Sequence, residues 1–265
     1  MIKIAIYNRK GGVGKTTSTV NLGACFEKEF GKRVLLVEID TQGNMSDYLL
    51  SHENVKPTKS LSNVLNGDVN VIHNLKFYVR NKLVETKMDL IASTAEMDFD
   101  YPDSTEQYKT LISFFDELED KYDICLFDCP PSMNNYVFAT MLIADYVLVP
   151  LEATKDSLSG YKTVKRDMSM IKSIFGKRMK AVIIGAVFNN YNKMSFENKQ
   201  WYNLARKIKN IVLFDNVIRQ CSEIGKASID GRPFVYYKSN PNEKSSMEYK
   251  AVCKELLKRI SEIGE

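Results

Sequence analysis

The sequence predicts an α/β fold: a mostly parallel, twisted sheet with helices on both faces. Three observations lead there. Short apolar runs alternate along the chain with longer stretches of helical periodicity. Runs such as VLLVEI (34–39) and DICLFD (123–128) are nearly all apolar and bounded by turn residues, as strands buried on both faces must be. The first run breaks into a glycine-rich turn that opens directly into a helix-forming stretch.

Taken in order, Ile2, Ile4, Ala5 and Ile6 mark the first strand, and a helix covers 16–29. Gly31 and the basic pair Lys32-Arg33 lead to strand 34–39. Residues 45–87 read as irregular, with short helices near 46–50 and 60–65. Strand 88–92 precedes a helix over 105–120, with Phe and Leu on one face and acids on the other. Strand 123–128, a helix near 134–143 and strand 145–150 follow. Helix 157–175, strand 179–187, helix 195–210, a short strand near 211–214, helix 219–229 and a terminal helix 245–262 complete the series. Residues 231–246 carry turn chemistry throughout and read as a loop. No Pro/Gly/Ser-rich linker divides the chain, so one domain over 1–265 is expected.

A chain of 265 residues with 44% hydrophobic content forms a core without covalent staples. Cys25, Cys125, Cys129, Cys221 and Cys253 are an odd set with no C-x-x-C pair, as expected of reduced, mostly buried thiols in a cytoplasmic protein. His52 and His73, the only histidines, fall in a segment read as loop and short helix and argue against a transition-metal site. The first strand begins at once, leaving no room for a signal peptide or an upstream DNA-binding domain. No window approaches the run of about 18 apolar residues that a membrane span needs.

The net charge of +4 hides an asymmetry. Residues 1–150 carry 15 Lys and Arg against 21 Asp and Glu, whereas residues 151–265 carry 22 against 12. A basic C-terminal half attracts a polyanion without sequence preference, and charge alone does not separate DNA from an anionic lipid surface.

Residues 7–17, YNRKGGVGKTT, hold most of the functional information. Gly11, Gly12 and Gly14 let backbone N–H groups turn inward around phosphate oxygens, with Val13 and Thr17 completing the loop. Lys15 can reach the β- and γ-phosphates, and the Thr16 hydroxyl can ligate Mg²⁺. The helix N-terminus just beyond adds its positive end. In the general pattern G-x-x-x-x-G-K-[ST] the first glycine would fall at position 9, where Arg9 stands, and a second lysine appears at Lys10. This form resembles the deviant Walker A motif of the ParA/MinD family of ATPases. The resemblance implies a P-loop NTPase fold, ATP and Mg²⁺ as cofactors, and a Lys10 that reaches across a dimer interface to the partner's ATP.

Three further segments extend it. EIDTQGN resembles the family's D-x-D-P-Q-G-N, with Glu38 for the first Asp and Thr41 for the Pro; Asp40, Gln42, Gly43 and Asn44 match. Asp40, at the carboxyl edge of the sheet, would orient the attacking water and help hold Mg²⁺. YDICLFDCPP resembles a Walker B strand, in which Asp128 binds Mg²⁺ together with Thr16. Cys129, where the family usually has Thr, reads as a tolerated small residue. ADYVLVPLEATKDSLSGYKTV (144–164) resembles the next strand and helix. VIRQCSEIGKASIDGRPFVYY resembles the region after the last strands, with Ile218 for the Pro of I-P-R. Arg219 fits an arginine that several members use to touch DNA backbone. Ser222 stands where a second arginine often follows, and Lys226 would supply that charge. Asn189 stands where the family often reads the adenine base; beside Asn190, the other reading is a plain turn residue.

The implied function is that of a short ParA-type partition ATPase. It would form a homodimer on ATP binding, bind DNA nonspecifically, and hydrolyse ATP under stimulation by a ParB-like, centromere-binding adaptor, in the cytoplasm on the nucleoid. The alternative is a membrane-surface positioning ATPase resembling MinD, or a relative positioning other cargo. The terminal stretch KAVCKELLKRISEIGE reads as the core's own last helix, which argues against a membrane anchor. A nitrogenase-reductase-like reading fails because Cys129 follows Asp128 too closely. A tyrosine-kinase-like reading fails because Tyr236, Tyr237 and Tyr249 are too few and dispersed.

Overall fold

The computed structural model describes residues 1–51, 56–80, 82–237 and 244–264. The strands are β1 (Ile2–Ile6), β2 (Val34–Glu38), β3 (Ile72–Val79), β4 (Lys82–Ile91), β5 (Ile124–Asp128), β6 (Tyr146–Leu151) and β7 (Val182–Phe188). The helices are α1 (Lys15–Phe30), α2 (Asn44–Leu50), α3 (Leu61–Leu65), α4 (Thr105–Asp116), α5 (Asn135–Ile143), α6 (Lys155–Phe175), α7 (Phe196–Lys207), α8 (Ser222–Ile229), α9 (Phe234–Tyr237) and α10 (Lys244–Gly264).

One seven-stranded sheet has the order β3-β4-β2-β5-β1-β6-β7, parallel throughout except for β3. The order reverses around β1, so the loops leaving β1, β2 and β5 meet at one carboxyl edge, where open α/β sheets bind ligands. Alternate residues of the central strands feed two cores. Ile4, Ile6, Leu36 and Leu126 pack under α1, α2 and α10, while Ala5, Leu35, Cys125 and Phe127 pack under α4, α5 and α6. Both faces being covered explains why these strands read as continuous apolar runs.

Helix α10 is part of that core. Val252, Cys253 and Leu256 are fully buried against the α1 side, and the Cys253 thiol points at the Leu22 carbonyl of α1 at 3.8 Å. Each such aliphatic side chain contributes roughly 1.5–3 kcal/mol of burial. Peeling the helix away as a surface anchor would forfeit that. Among the described residues, no helix is long and apolar enough to cross a membrane.

The structure corrects the sequence expectation in four places. Residues 72–79 and 82–87 form strand β3 and the first part of β4 rather than an irregular stretch, extending the expected strand 88–92 into an antiparallel hairpin, and His73 lies in its edge strand; His52 falls outside the described residues. The strand near 211–214 reduces to a single bridge, Ala186 to Leu213. The helix expected over 105–120 ends at Asp116, followed by turns. The loop 231–246 contains the helical turn α9, docked by Phe234 N–H donating to Asn21 Oδ1 at 2.7 Å; its residues 238–243 fall outside the described residues. All five cysteines are free thiols, and four of them are buried.

Candidate nucleotide-binding site

The loop between β1 and α1 stands at the carboxyl edge with Gly12 and Gly14 in the left-handed region, at φ 76° and 81°. L side chains rarely adopt that conformation. A Cβ on Gly11 or Gly12 would meet no atom within 4 Å, so this side of the loop is open. A Cβ on Gly14 would stand 2.1 Å from Asn189 Nδ2. That contact reveals how the loop is held. Asn189, at the end of β7, donates to the carbonyls of Val13 (3.1 Å) and Gly14 (3.4 Å) and lies 3.2 Å from Ser18 Oγ. Its amide is committed to the loop backbone. At the other end, the fully buried Asn8 donates to the Pro150 carbonyl (2.8 Å) and accepts from Lys10 N–H (3.0 Å). Sequence reasoning missed Asn8; its signal was a polar residue closing an apolar strand.

A cleft of about 890 Å³ lies in front of the loop, lined by Gly11, Gly12, Gly14, Lys15, Thr16, Thr17, Asp40, Thr41, Gln42 and the segment 130–134. The three motifs far apart in sequence thus share one cavity. Thr16 Oγ1 donates to Asp128 Oδ2 at 2.6 Å, and Thr19 Oγ1 lies 3.5 Å from Asp128 Oδ1. Asp128 ends β5 almost wholly buried. Burial pushes its carboxyl up to about 7, against the opposing hydrogen bond from Thr16. A hydroxyl beside a buried carboxylate is a hard-oxygen pair that suits Mg²⁺, and a cation there would restore the ionised form. The open glycine cradle and this donor set fit a nucleotide–Mg²⁺ complex.

Lys15 is buried, with Nζ donating to the Lys10 carbonyl at 3.1 Å. Burial lowers its pKa, opposed chiefly by Asp128. Lys10 pairs with Glu152 just after β6: Nζ stands 3.0 Å from Oε2 and 3.4 Å from Thr154 Oγ1. Asp40 lines the cleft and accepts from Gln42 N–H at 3.1 Å, closing a tight turn. Glu38, the departure from the family pattern, is fully buried and accepts from Met45 N–H (2.5 Å), Ser46 N–H (3.2 Å) and Ser93 N–H (3.1 Å). It ties the start of α2 to the end of β4. The Cys129 thiol is buried and pushed up by that burial, as an inert packing residue would be.

The two expected DNA contacts sit in ion pairs. Arg219 Nε pairs with Glu248 of α10, whose other oxygen accepts from Arg219 N–H at 2.9 Å. Arg219 also lines a second cavity of about 290 Å³ against Gly12, Val13, Thr17 and Asn189. Lys226 Nζ lies 2.7 Å from Glu223 Oε1, one turn away on α8.

Comparison with known proteins agrees with this geometry. Residues 1–181 match a family model described as an AAA domain. Rv1708 of Mycobacterium tuberculosis is 31% identical over 97% of this chain and 79% of its own length. The chromosome partitioning protein ParA of Caulobacter vibrioides is 29% identical over 88% of this chain and 86% of its own. A crystal structure of a putative plasmid partition protein from Borrelia burgdorferi, bound to AMPPNP, superposes with a TM-score of 0.76 at 21% identity, covering 97% of this chain and 99% of that one.

Proposed function

The chain belongs to the ParA/MinD family of P-loop ATPases, and from that premise we propose that it is a partition-type ATPase acting as one domain over 1–265. The observation that carries the reading is one cleft lined by the P-loop glycines, Lys15, Thr16 and Asp40, with Thr16 hydrogen-bonded to Asp128 behind it.

In this reading the loop N–H groups around Gly11, Gly12 and Gly14 bind the phosphates, and Lys15 reaches the β- and γ-oxygens once it leaves the Lys10 carbonyl. Thr16 and Asp128 hold Mg²⁺, with Asp40 close by. Mg²⁺, when bound, neutralises charge on the phosphate oxygens. Asp40 orients the attacking water. Lys10 leaves Glu152 and completes the partner's site when two subunits close face to face. Asn189 acts by fixing the loop, whose far side borders the cavity suited to the base.

The dimer binds duplex DNA nonspecifically through the basic C-terminal half, with Arg219 and Lys226 as the contacts its motif implies. A centromere-binding adaptor supplies sequence specificity and stimulates hydrolysis, which dissolves the dimer on the nucleoid. The test is binding of the purified protein to random-sequence duplex DNA with ATP, with ADP and without nucleotide, across a salt series. ATP-dependent, salt-sensitive binding supports the reading. Binding only to anionic liposomes, with ATP, would move the chain to the MinD-like class.

A further inference from the structure

The excess positive charge of the C-terminal half is concentrated in one stretch. Residues 155–209 carry thirteen Lys and Arg against three Asp and Glu, a net of +10, which is the whole surplus of residues 151–265. The structure folds that stretch into α6, β7 and α7. Helices α6 and α7 lie on the same face of the sheet, where Tyr161, Val164 and Ile171 of α6 and Ala205 of α7 join one core. Their flanking segments tie them together: Asn198 Nδ2 of α7 donates to the Ala153 carbonyl just before α6 (3.1 Å), and Val212 N–H, beyond α7, lies 3.5 Å from Tyr161 Oη of α6.

Most apolar side chains of α6 face the sheet, though Met170 and Ile174 are exposed. Leu158, Tyr161, Val164, Met168 and Ile171 are buried against the sheet. Lys162, Lys165 and Lys172 recur at i, i+3 and i+10 on the outward side, with Arg166 beside them and exposed Ser169 between. On α7, Lys199 and Lys207 are likewise exposed.

What distinguishes this surface is the absence of compensation. Among the described residues, none of these six cations has a carboxylate within ion-pair distance; Lys172 donates only to the Met179 carbonyl, at 2.7 Å. Among the described residues of the stretch, Arg206 is the one cation in an ion pair, with Asp215 at 2.8 Å. Elsewhere in the C-terminal half, among the described side chains, Arg219, Lys226, Arg232, Lys250, Lys258 and Arg259 pair with acids of their own chain, and Lys254 is the exception. One face of a largely neutralised half has been left unpaired, at the cost of its own self-repulsion.

We propose that the outward faces of α6 and α7, rather than the segment around Arg219 and Lys226, form the main phosphate-contacting surface for duplex DNA. The inference rests on the partition-ATPase reading for the existence of a DNA partner and goes beyond it in placing the surface. The row from Lys162 to Lys172 spans about 15 Å of α6, and duplex DNA presents a phosphate charge every ~1.7 Å of axis, so a rigid, straight polyanion engages the whole row. Arg219 and Lys226 must first break existing pairs, whereas the α6–α7 row meets phosphate directly.

The experiment compares full-length wild type with two variants: Lys162→Gln/Lys165→Gln/Arg166→Gln/Lys172→Gln and Arg219→Gln/Lys226→Gln. Affinity for random-sequence duplex DNA is measured with ATP over a salt series, alongside anionic vesicles. The quadruple variant should bind DNA at least ~100-fold more weakly near 0.1 M salt. Its log–log salt slope should be shallower by about 3–4, since each lost phosphate contact removes ~0.9. Its basal ATPase activity should be unchanged, and the double variant should lose less than about fivefold. Wild-type-like DNA binding by the quadruple variant, with loss in the double variant, overturns the placement and leaves the partition reading standing. DNA binding by the wild type in no nucleotide state overturns both. Selective loss of vesicle binding in the quadruple variant overturns the choice of partner.

Discussion

Lys10 Nζ lies 3.0 Å from Glu152 Oε2 of the same chain, so the lysine that marks the family is held at home by an acid 142 positions away. In the proposed dimer that pair competes with the partner's phosphates. Both side chains are partly exposed, which limits the pair to about 1 kcal/mol. Glu152→Gln should therefore lower the protein concentration needed for ATP-dependent dimerisation by roughly fivefold. Lys10→Ala should abolish dimerisation. Sedimentation with a slowly hydrolysed ATP analogue reads both, and an unchanged threshold in Glu152→Gln would show that the pair does not restrain Lys10.

Asp128 carries a stability cost with a defined sign. Its carboxyl is raised from 3.8 to about 7 by burial, so the folded state holds a proton that the unfolded chain releases earlier. Stability consequently falls as pH rises from about 4 to 7, by an order of 4 kcal/mol at most. Without nucleotide, Asp128→Asn should melt several degrees above wild type at pH 8, and the difference should vanish toward pH 4. The same variant should lose stabilisation by Mg²⁺–ATP. Equal melting temperatures at pH 8 would mean that the buried charge is compensated.

The brace between Asn189 and the loop separates positioning from contact. Gly14→Ala both strains a residue at φ 81° and drives a methyl into Asn189, and should abolish nucleotide binding while lowering stability by some 2 kcal/mol or more. Asn189→Ala should weaken ATP and GTP about equally, on the order of tenfold, because it loosens the loop. If ATP affinity fell selectively, Asn189 would be reading the base. Nucleotide titration by fluorescence distinguishes the two.

Lys15→Ala should bind no ATP, whereas Asp40→Ala should bind ATP normally, turn it over at least 100-fold more slowly and accumulate as dimer. Equilibrium binding and steady-state hydrolysis on the same preparations check this, and normal turnover in Asp40→Ala would remove Asp40 from catalysis.

The site was legible because phosphate binding demands local chemistry. A glycine loop, its lysine and its hydroxyl must be adjacent in sequence, and in the structure they line one cleft with Asp40, with Asp128 hydrogen-bonded to Thr16 at the same sheet edge. The bracing was not legible, since Asn8, Glu152 and Asn189 meet the loop only through the parallel neighbours β1, β6 and β7. The strand 88–92 was legible, but β3 and the first part of β4 were missed for a different reason. Leu75 and Phe77 alternate with Lys76 and Tyr78, and an edge strand solvated on one side has a low average hydropathy. The period of two was there; the mean concealed it. Glu38, which stands for the first Asp of the acidic motif, accepts three backbone hydrogen bonds that anchor the segment carrying Asp40, a role the motif comparison does not show.

The strand order has a mechanical consequence. Residues 1–150, net −6, supply the sheet from β3 to β1, while the stretch of net +10 wraps the β7 end. Near a polyanion such a body experiences a torque as well as a pull. Its β7 flank swings inward and its β3 flank outward within the screening distance, about 8 Å at physiological salt. Capture and alignment then become a single event.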